Sequence, residues 1–214
     1  MRKCAIIAGG DMTEKGVAVF KAHRREYEYI ICADSGYRHA EKLGIVPDLI
    51  AGDFDSYTDG LPEGVEIMAS IPEKDDTDTI MAVKKAMEMG YTQISLYGAL
   101  GGSRFEHTIA NIQTMIYAFQ QGCNLCIFDE SILMIQGADD GDVIYRHPDG
   151  SDLFMSVFAL TESVGIERLS GVKYPLENYR MVQSFPIGVS NEITDSSARL
   201  RIKDGLALIV LTEK

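Results

Sequence analysis

The sequence predicts two unlike halves, an α/β unit followed by an all-β unit. Three observations carry this. Up to about residue 130, short apolar runs alternate with amphipathic helical stretches, the signature of a parallel sheet covered on both faces. Beyond it, short β-rich runs follow one another with no long helical stripe. Asp-Gly turn signals, in Asp140-Gly-Asp142, Pro148-Asp-Gly150 and Lys203-Asp-Gly205, separate several of those later runs.

In chain order, Cys4–Ala8, Tyr29–Ala33, Leu49–Ala51, Ile94–Tyr97 and Leu125–Phe128 read as buried strands, with Val65–Ile71 a further candidate. Between them, Tyr37–Leu43 reads as a short helix. Thr79–Met89 carries a stripe at Ile80, Val83 and Met87, and Arg104–Gln121 one at Ile109, Ile112, Met115, Ile116 and Phe119. Gly44, Gly90 and Gly122 stand where a left-handed C-terminal cap is wanted. The later runs are Ser131–Gly137, Val143–His147, Leu153–Leu160, Tyr179–Phe185, Ala198–Ile202 and Leu206–Leu211, which suit a small antiparallel sandwich or barrel. The expected domains are therefore 1–130 and 131–214, meeting near Glu130–Asp142.

With 214 residues, the chain can bury a substantial core. Its net charge of -12 and pI of about 4.7 disfavour nucleic acid and anionic membranes as partners. The N-terminal apolar stretch is too short for a signal peptide, and no run reaches the length of a membrane span, so the expected compartment is the cytoplasm. Cys123-Asn-Leu-Cys126 lacks the second ligand pair a zinc site requires, and three of the four cysteines lie in or beside apolar strand-like runs, where a buried thiol acts as a small hydrophobe.

Four loops carry chemistry. In Pro47-Asp-Leu-Ile-Ala-Gly-Asp-Phe-Asp-Ser56 an apolar strand ends at Gly52 and presents Asp53 and Asp55 on one face. Two such carboxylates repel unless a cation lies between them, and hard oxygen ligands suit Mg²⁺ or Mn²⁺. A solvated acidic turn is the plain alternative. Ala33-Asp34-Ser35-Gly36 lies between a strand and a helix, where Asp34 or Ser35 would also serve as a simple N-cap. Lys74-Asp-Asp-Thr-Asp78 opens a helix with three acids in four positions, more than capping uses; Asp75 and Asp78 are the metal candidates, Thr77 the cap, and Lys74 a phosphate contact. Gly98-Ala-Leu-Gly-Gly-Ser-Arg-Phe-Glu-His107 joins a strand to the long helix; it offers close backbone approach at Gly101 and Gly102 and a bidentate phosphate donor in Arg104. It is neither a Walker A loop nor a dinucleotide fingerprint. His107 reads by default as a packed core histidine, with a catalytic role as the alternative. In a parallel sheet the loops after strands converge on one edge, so together these loops describe a metal–nucleotide site.

In order along nearly the whole chain, these motifs resemble the thiamin pyrophosphokinase family: Ala33–Gly36, Pro47–Ser56, Asp75-Asp-Thr-Asp78, Gly101–His107 followed by Asn111, and then Gly171-Val-Lys-Tyr-Pro-Leu-Glu-Asn178 and Val189-Ser-Asn-Glu192. The resemblance implies a Rossmann-like parallel α/β nucleotide domain, a C-terminal antiparallel β-sandwich that binds thiamin, and a cytoplasmic homodimer whose active sites are shared between subunits. It implies transfer of the diphosphate of ATP to the thiamin hydroxyl, with Mg²⁺ and the phosphates held by Asp53, Asp55, Asp75 and Asp78. Arg104 would contact phosphate, Glu106 or one of the aspartates is a candidate proton acceptor, and Asp34, Ser35, Gly36, Lys74, Thr77, Gly101, Gly102, His107 and Asn111 would surround the nucleotide. Tyr174 would lie against the thiamin pyrimidine, with Ser190 and Asn191 at its polar edge. Three positions depart from the family pattern. Ser103 is an extra residue before the arginine, Glu106 replaces an Asp, and Tyr174 stands where Trp is frequent. The alternatives are a diphosphotransferase acting on a pterin alcohol and a non-catalytic thiamin- or nucleotide-binding regulator.

Overall fold

The computed structural model describes residues 2–52, 63–69, 76–146 and 152–214. The chain divides into two compact units, Met1–Asp129 and Glu130–Lys214.

In the first unit the strands are β1 (Lys3–Ile7), β2 (Tyr29–Ala33), β3 (Leu49–Gly52), β4 (Glu66–Ala69), β5 (Gln93–Tyr97) and β6 (Asn124–Phe128), and the helices α1 (Glu14–His23), α2 (Tyr37–Lys42), α3 (Asp78–Glu88) and α4 (Phe105–Gln120). Every pairing is parallel, in the order β6-β5-β1-β2-β3-β4. Both faces of β1, β2 and β3 are apolar because both are covered. Ala5, Ile7, Ile30, Cys32, Ile50 and Tyr97 cluster with Phe20 of α1 and with Tyr37 and Ala40 of α2. The alternate residues Ile6, Ile31, Leu49 and Leu96 are fully buried as well. The anticipated caps form, with φ of +66°, +83° and +76° at Gly44, Gly90 and Gly122.

The sequence did not single out α1, and the reason is local. Its buried residues are Gly16 and Phe20, so one position of its apolar stripe is a glycine. A Cβ at Gly16 would stand 2.5 Å from Asp129 Oδ1. Asp129 is itself buried, accepting from the Thr13 backbone N–H at 3.1 Å and pairing with the Thr13 hydroxyl, which in turn caps the helix by accepting from Gly16 N.

The buried face of α4 matches the expected one only in part, with Met115 buried and Ile112, Ile116 and Phe119 half-buried. Asn111, Thr114, Met115 and Ala118 face the interior, while Ile109 is 45% exposed. Two polar residues in that face are satisfied within the fold, Thr114 by donating to the Ala110 carbonyl at 2.9 Å and Asn111 as described below. In α3 the interior residues are Met81, Ala82, Val83 and Ala86, so of the expected stripe only Val83 is fully buried.

The second unit contains β7 (Ser131–Gly137), β8 (Asp142–Tyr145), β9 (Leu153–Ala159), β10 (Ser163–Ser170), β11 (Leu176–Val182), β12 (Asn191–Glu192), β13 (Ala198–Asp204) and β14 (Leu206–Glu213). They pair antiparallel as β12-β9-β14-β7 and as β11-β10-β13-β8. One core joins the two layers, with Met155, Val157 and Ile209 from the first and Val164, Ile166, Leu200 and Ile202 from the second. Strand β10 is central to its layer yet absent from the sequence reading. Its register with β13 shifts between Ile166 and Arg168, so the bulge places Glu167 and Arg168 together and breaks the alternation a strand normally shows. Strand β11 begins three residues earlier than the expected Tyr179 run.

Candidate functional site

The strand order of the first unit reverses at β1. The chain winds outward through β2, β3 and β4 on one side, while β5 and β6 lie on the other. The connection from β1 runs to β2 on one side and that from β5 to β6 on the other, and open parallel sheets bind ligands at the carboxyl ends of the strands at such a point. A cleft of about 410 Å³ occupies this place. Its walls are Ala8–Asp11 after β1, Ala33–Ser35 after β2, Asp76–Thr79 at the start of α3, Gly98, Ala99 and Gly101–Arg104 after β5, and His107 and Asn111 from α4.

Backbone contact locks the β1 and β5 loops together. Ala8 N donates to Tyr97 O and Gly10 N to Gly98 O, each at 2.8 Å. Gly98 has φ of +60°, and a Cβ there would stand 2.5 Å from the Ala8 carbonyl oxygen, so only glycine permits this approach. His39 of α2 donates from Nε2 to the Gly10 carbonyl at 2.8 Å, which places its proton on that nitrogen. From the other side, Asn111, only 5% exposed, donates from Nδ2 to the Ala99 carbonyl at 2.7 Å.

Asp34 opens a short 3₁₀ turn, Asp34–Gly36, that runs directly into α2. Its φ of +47° is a left-handed conformation that Asp tolerates better than most residues. Ser35 also faces the cleft, whereas Gly36 does not line it. Gly36 is buried against β1: a Cβ there would stand 2.0 Å from the Ile7 carbonyl oxygen, so its glycine is required by packing. Thr77 is the cap of α3, accepting from Ile80 N at 3.3 Å, and Asp78 follows in the first turn.

Arg104 stands at the N-cap of α4 without a side-chain cap and donates from Nε to Glu106 Oε1 at 2.9 Å. Both side chains are about 70% exposed, 70% and 68%, so the pair is worth little and the guanidinium can exchange Glu106 for a ligand. The Glu106 backbone amide and then Arg104 hold the Glu106 carboxyl below the usual glutamate range. Glu106 itself is not part of the cleft wall. His107 is exposed on that wall, not packed in the core.

Asp53, Asp55, Lys74 and Asp75 lie outside the described residues. Among the described residues no three His, Cys, Asp or Glu side chains are grouped to hold a metal ion. Sequence reasoning passed over Gly9, Gly10 and Asp11, and named Asp76, Thr79 and Gly98 only as members of their segments without a role. The signal for the first three was available: Gly9-Gly10-Asp11 directly follows a buried strand, as the chosen loops do.

In the second unit, Tyr174, Ser190 and Asn191 come together. Asn191 brackets the Tyr174 backbone, its Oδ1 accepting from Tyr174 N at 3.0 Å and its Nδ2 donating to Tyr174 O at 2.9 Å. Both polar atoms of the Asn191 side chain are thus engaged in holding the tyrosine loop. The Tyr174 ring is 65% exposed, with Lys173 Nζ 5.8 Å from its centroid. Ser190 has φ of +54° and donates from its backbone to Ser156 Oγ at 2.9 Å.

Residues 20–127 match the family model for the thiamin pyrophosphokinase catalytic domain. The chain belongs to the thiamin pyrophosphokinase family. Residues 147–207 match a second model, the thiamin pyrophosphokinase vitamin B1 binding domain. The chain is 26% identical to the thiamine pyrophosphokinase of Bacillus subtilis over 215 residues, covering 98% of each. The crystal structure of thiamine pyrophosphokinase from Bacillus subtilis superposes with a TM-score of 0.87 at 23% identity, over 100% of both chains. Thiamin pyrophosphokinase from Candida albicans gives 0.78 at 16% identity, covering 99% of this chain and 89% of its own. The cleft lies wholly within the catalytic-domain unit of this thiamin pyrophosphokinase family member, and the Tyr174–Asn191 cluster lies within the stretch matched by the vitamin B1 model.

Proposed function

We propose that this chain transfers the terminal diphosphate of ATP to the primary hydroxyl of thiamin, giving thiamin diphosphate and AMP. The observation that carries the reading is the presence, in one chain and in order, of a catalytic-domain match and a vitamin B1 binding-domain match. The second match argues against a pterin alcohol as acceptor. A cleft built from glycine turns, an uncapped helix start and an arginine argues against a purely thiamin-binding regulator.

The parallel sheet, whose order reverses at β1, fits a Rossmann-like nucleotide unit. In this reading ATP phosphates lie along the Gly9–Gly10 and Gly101–Gly102 turns and at the start of α4, where first-turn amides have no partner within the helix. Arg104 leaves Glu106 to grip phosphate oxygens in two places. Asp34 and Ser35 form the opposite wall.

The described wall carries the carboxylates of Asp11, Asp34 and Asp78, hard oxygen donors that suit Mg²⁺ or Mn²⁺, and that of Asp76, which is paired with Lys84. Asp78, with Asp53, Asp55 and Asp75, would hold Mg²⁺, which when bound neutralises phosphate charge and orients the in-line attack. The thiamin hydroxyl attacks the β-phosphorus and AMP departs. Glu106 is off the cleft wall and paired with Arg104, so an aspartate of the cleft is the better proton acceptor.

A homodimer with shared sites also belongs to this reading. Phe185, Ile187 and Val189, exposed by 60%, 52% and 51%, form the kind of apolar surface a second copy would cover. A cytoplasmic location suits four cysteines that are all free thiols. Among the described residues no helix is long and apolar enough to cross a membrane.

The test is direct. Protein, ATP, Mg²⁺ and thiamin are mixed, and AMP and thiamin diphosphate are quantified. Equal amounts of the two products, dependent on thiamin, are expected. ATP turnover that ignores thiamin, or a pterin alcohol accepted in its place, would refute the reading.

A further inference from the structure

One acid of the cleft, Asp76, is engaged by a lysine that the reaction does not use. Asp76 lines the cleft, and Asp76 Oδ2 receives a hydrogen bond from Lys84 Nζ at 2.6 Å, with both side chains 35% exposed. Lys84 sits about two turns into α3, so its ammonium reaches back toward the helix start. That direction runs against the helix dipole, whose N-terminal end repels cations. The carboxylate is therefore what draws the lysine there. The same Nζ lies 5.7 Å from the ring centroid of Tyr117 on α4, which places it between the Asp76–Asp78 loop and the second helix of the cleft.

We infer that Lys84 is a positioning residue of the phosphate cleft: it neutralises Asp76 and ties the turn that precedes Asp78 back onto α3, so that a polyphosphate meets less negative charge there. The charge balance makes this matter. The described wall bears four aspartates against the single guanidinium of Arg104, in a chain of net charge -12. ATP is itself polyanionic, so an unpaired Asp76 adds repulsion at short range in a partly desolvated place. The pairing was not visible in the sequence, because Asp76 and Lys84 are eight residues apart and only one of them is helical.

This inference rests on the cleft taking ATP, and the experiment separates the two claims. ATP binding without thiamin is measured by calorimetry at fixed Mg²⁺, beside steady-state kinetics, for wild type, Lys84→Met, Lys84→Arg and the double variant Asp76→Asn/Lys84→Met. Melting curves check that each is folded. Lys84→Met should weaken ATP binding and raise its KM about tenfold, a shift of roughly 1.4 kcal/mol, while kcat changes less than twofold. Lys84→Arg should stay within about threefold of wild type, since it keeps the charge. The double variant should return to within about threefold, because no carboxylate is left to neutralise. Normal ATP binding by Lys84→Met, or a double variant as weak as the single one, overturns the role of Lys84 while the function stands. A wild type that neither binds nor turns over ATP overturns both.

Discussion

Asn111 joins the catalytic cleft to the interior of α4, and its removal should be costly in a measurable way. Its amide donates to the Ala99 carbonyl at 2.7 Å, and both residues are buried, at 5% and 3% exposure. Replacing Asn111 leaves that carbonyl without a protein donor and out of reach of bulk water. The desolvation cost of such an orphan is about 1–3 kcal/mol. For a chain of this size each kcal/mol moves the melting temperature by about 2–4 °C, so a central 2 kcal/mol corresponds to a fall of about 4–8 °C. Two variants separate the hydrogen bond from packing. Asn111→Ala removes the donor and opens space, whereas Asn111→Leu fills the space and donates nothing. If the hydrogen bond dominates, both should melt within about 2 °C of each other and well below wild type. The loop Ala99–Gly102 also loses its tether, so the KM for ATP should rise severalfold in both. The assay is circular dichroism melting alongside initial rates at varied ATP. An Asn111→Leu variant with wild-type melting and a wild-type KM would show that the amide neither stabilises the fold nor places the loop.

Three further outcomes follow from the same geometry. Gly36→Ala should lower the melting temperature whether or not ATP is present, because its Cβ would fall 2.0 Å from the Ile7 carbonyl oxygen; a variant altered only in ATP affinity would return Gly36 to the ligand. Arg104→Ala should raise the Glu106 carboxyl toward the ordinary value of about 4.3, followed by carboxyl NMR titration. A lowered folded-state pKa means that this contribution is present above the ordinary value and fades as pH falls through the folded one, so acid should bring the stabilities of wild type and Arg104→Ala together. An unmoved Glu106 titration would leave its own backbone amide as the whole cause. Tyr174→Ala should raise the thiamin KM about tenfold while leaving that for ATP nearly unchanged, since ring stacking alone is worth about 0.5–1.5 kcal/mol and buried contact adds to it. Mixing Asp78→Asn with Tyr174→Ala should then restore activity if sites are shared across a dimer; heterodimers without activity would exclude sharing.

The legible parts of the cleft share one property: their chemistry is local in the chain. Thr77 caps α3 from the adjacent position, and Ala33-Asp34-Ser35 follows a strand that announces itself by composition. The same holds for Arg104 at the mouth of a helix preceded by two glycines, whereas His107, read by default as a core residue, is exposed on the cleft wall. What escaped the sequence is set by distant neighbours. Gly98 is glycine because of Ala8, Gly36 because of Ile7, and Gly16 because of Asp129. Strand β10 was hidden by a bulge that only its pairing with β13 defines.

The rotated face of α4 shows where such failures become informative. A stripe drawn through Ile109, Ile112, Met115, Ile116 and Phe119 predicts a helix that buries as much hydrocarbon as it can, and Met115 alone of the five is fully buried. The fold instead exposes Ile109 and turns Asn111 inward, giving up transfer free energy on the order of 1 kcal/mol or more for a large aliphatic side chain. What it gains is the bond to Ala99, which fixes the loop that leads to Gly101, Gly102 and Arg104. A helix serving only the core has no reason to make that exchange. One that must hold a loop of the cleft in place does, and the polar residue that interrupts the buried face marks the point of attachment. By the same logic Lys84 reaches against its own helix dipole toward Asp76, so two departures from local preference, one on each of the helices that open at the cleft, both act to hold its walls.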